Sequence, residues 1–138
     1  MMYHKAILFN DTTTAKKIFE EPNPRLAKQL GRAVANFSDS IWNQNRSRIA
    51  YEGNLFKFKS KKGLKQALLG TKERVLAEAS PFDRIWGIGY KENEAEGNRK
   101  RWGMNLLGEA LMKVRQTIHD EERVDLRGPR SCPLLEIK

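Results

Sequence analysis

The sequence predicts a mainly α-helical α+β domain with little strand. Three observations predict it. Apolar residues recur at helical spacing in most segments, Asp, Asn, Ser, Pro and Gly punctuate those segments where helices start and stop, and only one short stretch reads as a strand. At 138 residues the chain is long enough for one buried core and leaves little room for a second.

Met2 to Phe9 is apolar on several sides and reads as a buried helix, with Asn10 or Asp11 stopping it. Asp11 to Glu20 places Ala15, Ile18 and Phe19 at helical spacing behind an Asp cap. Pro22-Asn23-Pro24 ends that helix, because a residue before proline avoids the helical region. Asn23 then caps a short helix with Pro24 in its first position, a Leu26, Ala27, Leu30 stripe, and an end near Gly31.

Ser38 to Phe58 is the next helix, with Ile41, Trp42, Ile49, Ala50 and Phe56 on one face and Gly53 as its weak point. Lys62 to Leu69 is a short helix that Gly70 stops. Arg74 to Ala79 is the strand candidate; being short and Ala-rich, it reads equally as a buried turn of helix. Gly87 to Gly103, with four glycines, is a loop or loose hairpin. Asn105 caps the last strong helix, whose buried face is Leu107, Ala110, Leu111, Val114 and Ile118. Residues 119–138 are charged, then Gly-Pro and Cys-Pro containing, and read as a loosely attached tail behind a domain at 1–118.

The net charge is +9, and residues 1–118 carry 22 bases against 12 acids. Such a surface attracts phosphates, on nucleic acid or on a small molecule. The densest run is Lys57, Lys59, Lys61, Lys62 and Lys65; it lacks interleaved aromatics and a nucleic-acid motif, which favours a plain solvated face. No apolar run approaches a membrane span, and the start is too short and polar for a secretory signal, so a soluble cytoplasmic protein is expected. A single cysteine and two histidines argue against a structural metal, and no cofactor is expected.

The chemistry candidates cluster at the start and in Glu78 to Arg115. Lys5 sits among apolar residues; burial lowers a lysine pKa and makes the amine a nucleophile, while snorkelling is the competing reading. Glu78 and Asp83 flank Pro81 and form a carboxyl pair suited to general acid–base work, although Asp83 also suits a cap on the turn carrying Trp86. Trp86-Gly87 and Trp102-Gly103 pair a flat ring with a residue that lets the backbone come close, which suits a nucleobase and equally a core turn. The helix beginning at Asn105 offers donors to a phosphate; Arg115, almost three turns on, suits an anion or, more readily, a partner inside the fold.

Together, Tyr3-His4-Lys5-Ala6, Leu69-Gly70-Thr71, Leu76-Ala77-Glu78-Ala79-Ser80, Asp83, Trp86-Gly87-Ile88-Gly89, Asn105-Leu106-Leu107-Gly108 and Leu111-Met112-x-Val114-Arg115 resemble the NADAR (YbiA-like) family up to about Ile118. The resemblance implies a mainly helical α+β domain without a metal, and an N-glycosidase. Its substrate would be a riboflavin-pathway ribosylamino-pyrimidine phosphate or ADP-ribosylated guanine in nucleic acid. It implies Lys5 as the nucleophile that forms a Schiff base with the opened ribose, and Asp83 or Glu78 as the proton-transfer group. Trp86, Gly87, Gly89, Asn105 and Arg115 would then hold the substrate. The family normally begins with an aromatic-rich segment and has a glutamate about seven residues before the lysine; that position lies outside this sequence. The resemblance therefore also implies an N-terminal truncation, with one wall of the pocket missing and activity impaired. Two further readings are an inactive ADP-ribose or nucleotide-binding module and a nucleic-acid binder that uses the lysine run.

Overall fold

A computed structural model describes residues 1–128. The elements are α1 (Met2–Leu8), α2 (Thr12–Glu20), α3 (Pro24–Arg32), α4 (Asp39–Ser60), α5 (Lys62–Gly70), α6 (Glu92–Ala95), a 3-10 helix (Glu96–Arg101) and α7 (Leu106–Arg127). The punctuation acts as its chemistry dictates. Asp11 Oδ1 accepts from Thr14 N at 3.0 Å and Asn23 Oδ1 from Arg25 N at 2.9 Å, while Ser38 caps α4 through Ile41 N.

The 22-residue α4 is the spine, about 33 Å long at 1.5 Å per residue. Its first half carries one apolar cluster: Ala6 of α1 and Phe9 just beyond it, Ala15 and Ile18 of α2, Val34, and Trp42 and Ile49 of α4. Its second half meets α5 and α7 in another, centred on Leu68, Val114 and Ile118 with Tyr51, Leu55 and Phe58 packed against it. Both α4 and α7 run the same way: Arg46 reaches Met104 near the start of α7, and Lys59 pairs with Glu121 near its end. Gly31 lets α1 lie against α3, since a Cβ there would overlap the Met2 side chain.

Five expectations change. The described residues contain no strand: Arg74 to Ala79 is irregular, because side chains of α7 rather than a neighbouring strand take up its backbone groups. The stretch Gly87 to Gly103 folds into α6 and the 3-10 helix, pinned by Trp102 Nε1 donating to Ala95 O at 2.7 Å. The last helix runs on through Arg127, so residues 120–127 are helical; Glu121 and Glu122 tie them to Lys59 and Lys65. The Gly-Pro and Cys-Pro part beyond residue 128 lies outside the described residues. Phe56 points away from the core, being 77% exposed. The first helix buries only Ala6, with Tyr3 and Ile7 exposed.

Candidate functional site

The segment Glu78 to Leu107 is closed on itself by backbone hydrogen bonds between two sequence-distant strips. Gly103 N donates to Ile88 O (2.8 Å), Met104 N to Arg84 O (2.7 Å), Asn105 N to Gly87 O (3.2 Å), Leu106 N to Ile85 O (3.0 Å) and Leu107 N to Trp86 O (3.1 Å). The loop's carbonyls thus cap α7, satisfying donors that a helix start otherwise leaves open. This corrects the expectation that the start of α7 offers its donors to a phosphate: Leu106 and Leu107 have already spent theirs.

Asn105 is likewise not a side-chain cap. It stands at φ 51°, in the left-handed region that Asn tolerates, and makes no side-chain cap bond. Its buried amide instead turns towards the preceding segment. Oδ1 accepts from Glu78 N at 3.0 Å, and Nδ2 donates to Leu76 O at 2.9 Å. Gly108 follows because a Cβ there would collide with Leu76 O and the Asn105 amide.

Asp83 takes the local role that its position in the turn suggested. Its Oδ1 accepts from Ile85 N (2.9 Å) and Trp86 N (2.8 Å), fixing the turn that carries the tryptophan. Its second oxygen has no hydrogen-bond partner among the described residues. The Glu78 side chain is exposed, while its carbonyl accepts from Ser80 N and Ile88 N, both at 2.9 Å. Gly87 is buried, and a Cβ there would stand 2.8 Å from Asp83 O and 2.9 Å from Glu78 O. Gly89, at φ 77°, gives its N–H to Ser80 O and leaves room for Arg84, whose Nη2 donates to Arg101 O at 2.7 Å.

Trp86 is half-buried and packs against the first apolar cluster, which also contains Ala6 and Trp42. Lys5 stands at the same cluster. Its Nζ lies 4.4 Å from the centre of the Phe37 ring and 5.5 Å from that of Trp42. Burial, the largest effect, pushes the Lys5 pKa down; the Asp39 carboxylate opposes this and Arg32 adds to it. Lys5 and Trp86 therefore share one cluster, and Asp83, Glu78, Gly87, Gly89 and Asn105 form the loop that holds Trp86 there. Phe37, Asp39 and Arg32 had no signal in the sequence: only the turn between α3 and α4 brings them to the lysine.

Arg115 lies apart. Its Nη1 donates to Thr71 Oγ1 and Arg74 O, both at 2.8 Å, about 15 Å along the helix axis from Asn105. The partner inside the fold, already the more ready reading, is thus a hydroxyl and a carbonyl. Among the described residues no group of three or more His, Cys, Asp or Glu could hold a metal ion, and no helix is long and apolar enough to cross a membrane.

Comparison with known proteins matches residues 1–119 to the family model for the NADAR domain. The chain is 44% identical over 118 residues to "N-glycosidase R617" of Acanthamoeba polyphaga mimivirus, covering 84% of this chain and 69% of that protein. It is 31% identical over 121 residues to "N-glycosidase Npun_R5314" of Nostoc punctiforme, covering 86% and 72%. It is also 31% identical over 121 residues to the chloroplastic riboflavin biosynthesis protein PYRR of Arabidopsis thaliana, covering 85% of this chain but 19% of that protein.

Proposed function

We propose that this chain, which belongs to the NADAR domain family, is an N-glycosidase: a hydrolase that cleaves the bond between a ribose and a base. The observation that carries this reading is the 44% identity to a protein named as an N-glycosidase, over 84% of the chain. A lysine whose pKa is lowered beside two aromatic rings supports it chemically.

The residues divide the work as follows. The neutral amine of Lys5 attacks the anomeric carbon of the ribose. The bond from that carbon to the base nitrogen breaks, and its electron pair leaves with the base. The base takes up a proton from Asp83 or Glu78. Asp83 has one carboxylate oxygen occupied in the Trp86 turn and the other open. The sugar ring opens as the Lys5 nitrogen and the anomeric carbon form a Schiff base, and one water molecule then releases the free sugar and restores the amine. The Phe37 and Trp42 rings stabilise the cationic nitrogen that appears in this sequence. Trp86 supplies the stacking face for the heterocycle, while Gly87 and Gly89 act indirectly, Gly87 by closing the turn against Asp83 and Glu78 and Gly89 by making room for Arg84. Asn105 acts through Leu76 and Glu78, as a positioning residue. The substrate is a ribosyl compound, either a phosphorylated ribosylamino-pyrimidine or ADP-ribosylated guanine in a nucleic acid.

Incubation with each substrate, in the presence and absence of borohydride, tests the reading. Free base or free ADP-ribose is expected, together with a borohydride-trapped sugar adduct on Lys5. Turnover that persists in Lys5→Ala removes the covalent mechanism, and saturable binding without any product removes the enzyme.

A further inference from the structure

The basic surface that matters is not the one with the densest lysines. In the run from Lys57 to Lys65, Lys59 pairs with Glu121 at 2.9 Å and Lys65 with Glu122 at 2.8 Å. Lys57 lies by the Phe58 ring. Two of the five lysines of that run are thus answered by acids on α7.

A different set of cations lines an open groove of about 690 Å³ between the end of α5 and the middle of α7, bounded by Leu69, Lys72, Glu73, Arg115, Gln116, His119 and Arg123. No carboxylate of the described residues lies within ion-pair distance of Lys72, Arg115 or Arg123. The acids nearby are Glu73 on the wall and Asp120, which lies 3.7 Å from His119 Nδ1 and accepts from Gln116. Arg115 spends only Nη1 inside the fold, leaving Nε and Nη2 for the groove. Arg115, His119 and Arg123 recur every fourth residue, so they line one flank of α7 at steps of about 6 Å. Lys72 faces them from a left-handed turn at φ 53°. Arg115 and Arg123 on α7, with Lys72 opposite, are separated cations, and they suit linked phosphates better than a single compact anion, which would engage only one of them.

We propose that this groove binds the phosphodiester backbone of a nucleic-acid strand, at a place distinct from the Lys5 and Trp86 cluster. It lies beside Arg115, so it is removed from Asn105 by almost three turns of α7. The site does not depend on cleavage of a ribose–base bond.

Fluorescence anisotropy of the full chain with a labelled oligothymidylate lacking ADP-ribose tests it, separately from any turnover assay. A Lys72→Asn/Arg123→Gln double variant is expected to weaken binding by about tenfold or more. It should also flatten the slope of log affinity against log salt by about 0.7 for each phosphate that is no longer neutralised. Asn suits the left-handed turn at position 72, and Arg115 is left intact because it holds Thr71. A Lys57→Gln/Lys61→Gln/Lys62→Gln variant should bind almost as the parent does. Equal losses in the two variants, or no salt-dependent binding by the parent chain, overturn the proposal. Complete displacement of the oligonucleotide by pyrophosphate at matched phosphate concentration also overturns it, in favour of a small-phosphate site.

Discussion

Asn105 and Arg115, ten residues apart on α7, grip the two ends of one irregular segment. Arg115 holds Thr71 and Arg74, and Asn105 holds Leu76 and Glu78. A segment without helix or strand must find partners for its backbone groups elsewhere, and here two polar side chains provide them for Arg74, Leu76 and Glu78. The clamp sets where Glu78 enters the loop that carries Asp83 and Trp86.

Replacing Asn105 with Ala removes both bonds at a buried position and leaves Leu76 O and Glu78 N without partners. Stability should fall by about 2–4 kcal/mol, measured by urea denaturation. Asn105→Asp should be nearly as damaging, because a carboxylate keeps the acceptor for Glu78 N but faces Leu76 O without a donor. A loss too small to resolve in either variant would show that the clamp is dispensable.

The pH dependence of turnover should follow the surroundings of Lys5. Its neutral amine gains population as pH rises through a pKa already lowered by burial. Asp39 raises that pKa, so Asp39→Asn should move the rising limb of kcat/KM to lower pH. Arg32 lowers it, so Arg32→Gln should move the limb to higher pH. Shifts in the opposite directions would argue against Lys5 as the nucleophile.

Two glycines should respond oppositely to alanine. A Cβ at Gly103 would overlap the Arg84 backbone, where the loop crosses the start of α7; Gly103→Ala should cost about 1–3 kcal/mol. Gly53 lies in the interior of α4 with nothing within 4 Å of an added Cβ, so Gly53→Ala should stabilise by about 0.5–1 kcal/mol. Thermal melts of the two variants check both signs.

Asp11 should confer acid sensitivity. Its carboxylate accepts from Ala35 N at 2.9 Å and from Thr14 N, and these bonds, Ala35 first, hold its pKa below the usual range. A depressed folded-state pKa adds stability above the unfolded value, and that stability is lost as pH falls through the folded one. Asp11→Asn should therefore lower the melting temperature at neutral pH and converge on the parent in strong acid. A constant gap at every pH would contradict the ionic contribution.

The helices were legible because their signals are local. Asp11, Asn23 and Ser38 each bond within three residues, and the Ala110, Val114, Ile118 stripe is a spacing in one segment. Asp83 as the cap on the Trp86 turn was legible for the same reason. Arg74 to Ala79, read as a strand or equally a buried turn of helix, is neither, because extended backbone becomes a strand only beside a partner strand, and α7 offers side chains instead. Asn105 looked like a cap from its neighbours; its partners sit 27 and 29 residues earlier, beyond the reach of any local pattern.

By itself the sequence determined where α1 to α5 start and stop to within a few residues, where α7 starts, the excess of positive charge, and the motifs through which the chain resembles its family. Tertiary structure alone decided which charges remain unanswered, which rings face Lys5, and what the polar side chains of α7 hold. The reason is distance along the chain. Caps and apolar stripes are settled within a few residues, whereas the lysine run meets its acids, and Lys5 its aromatic neighbours, only after α4 has carried separate segments together.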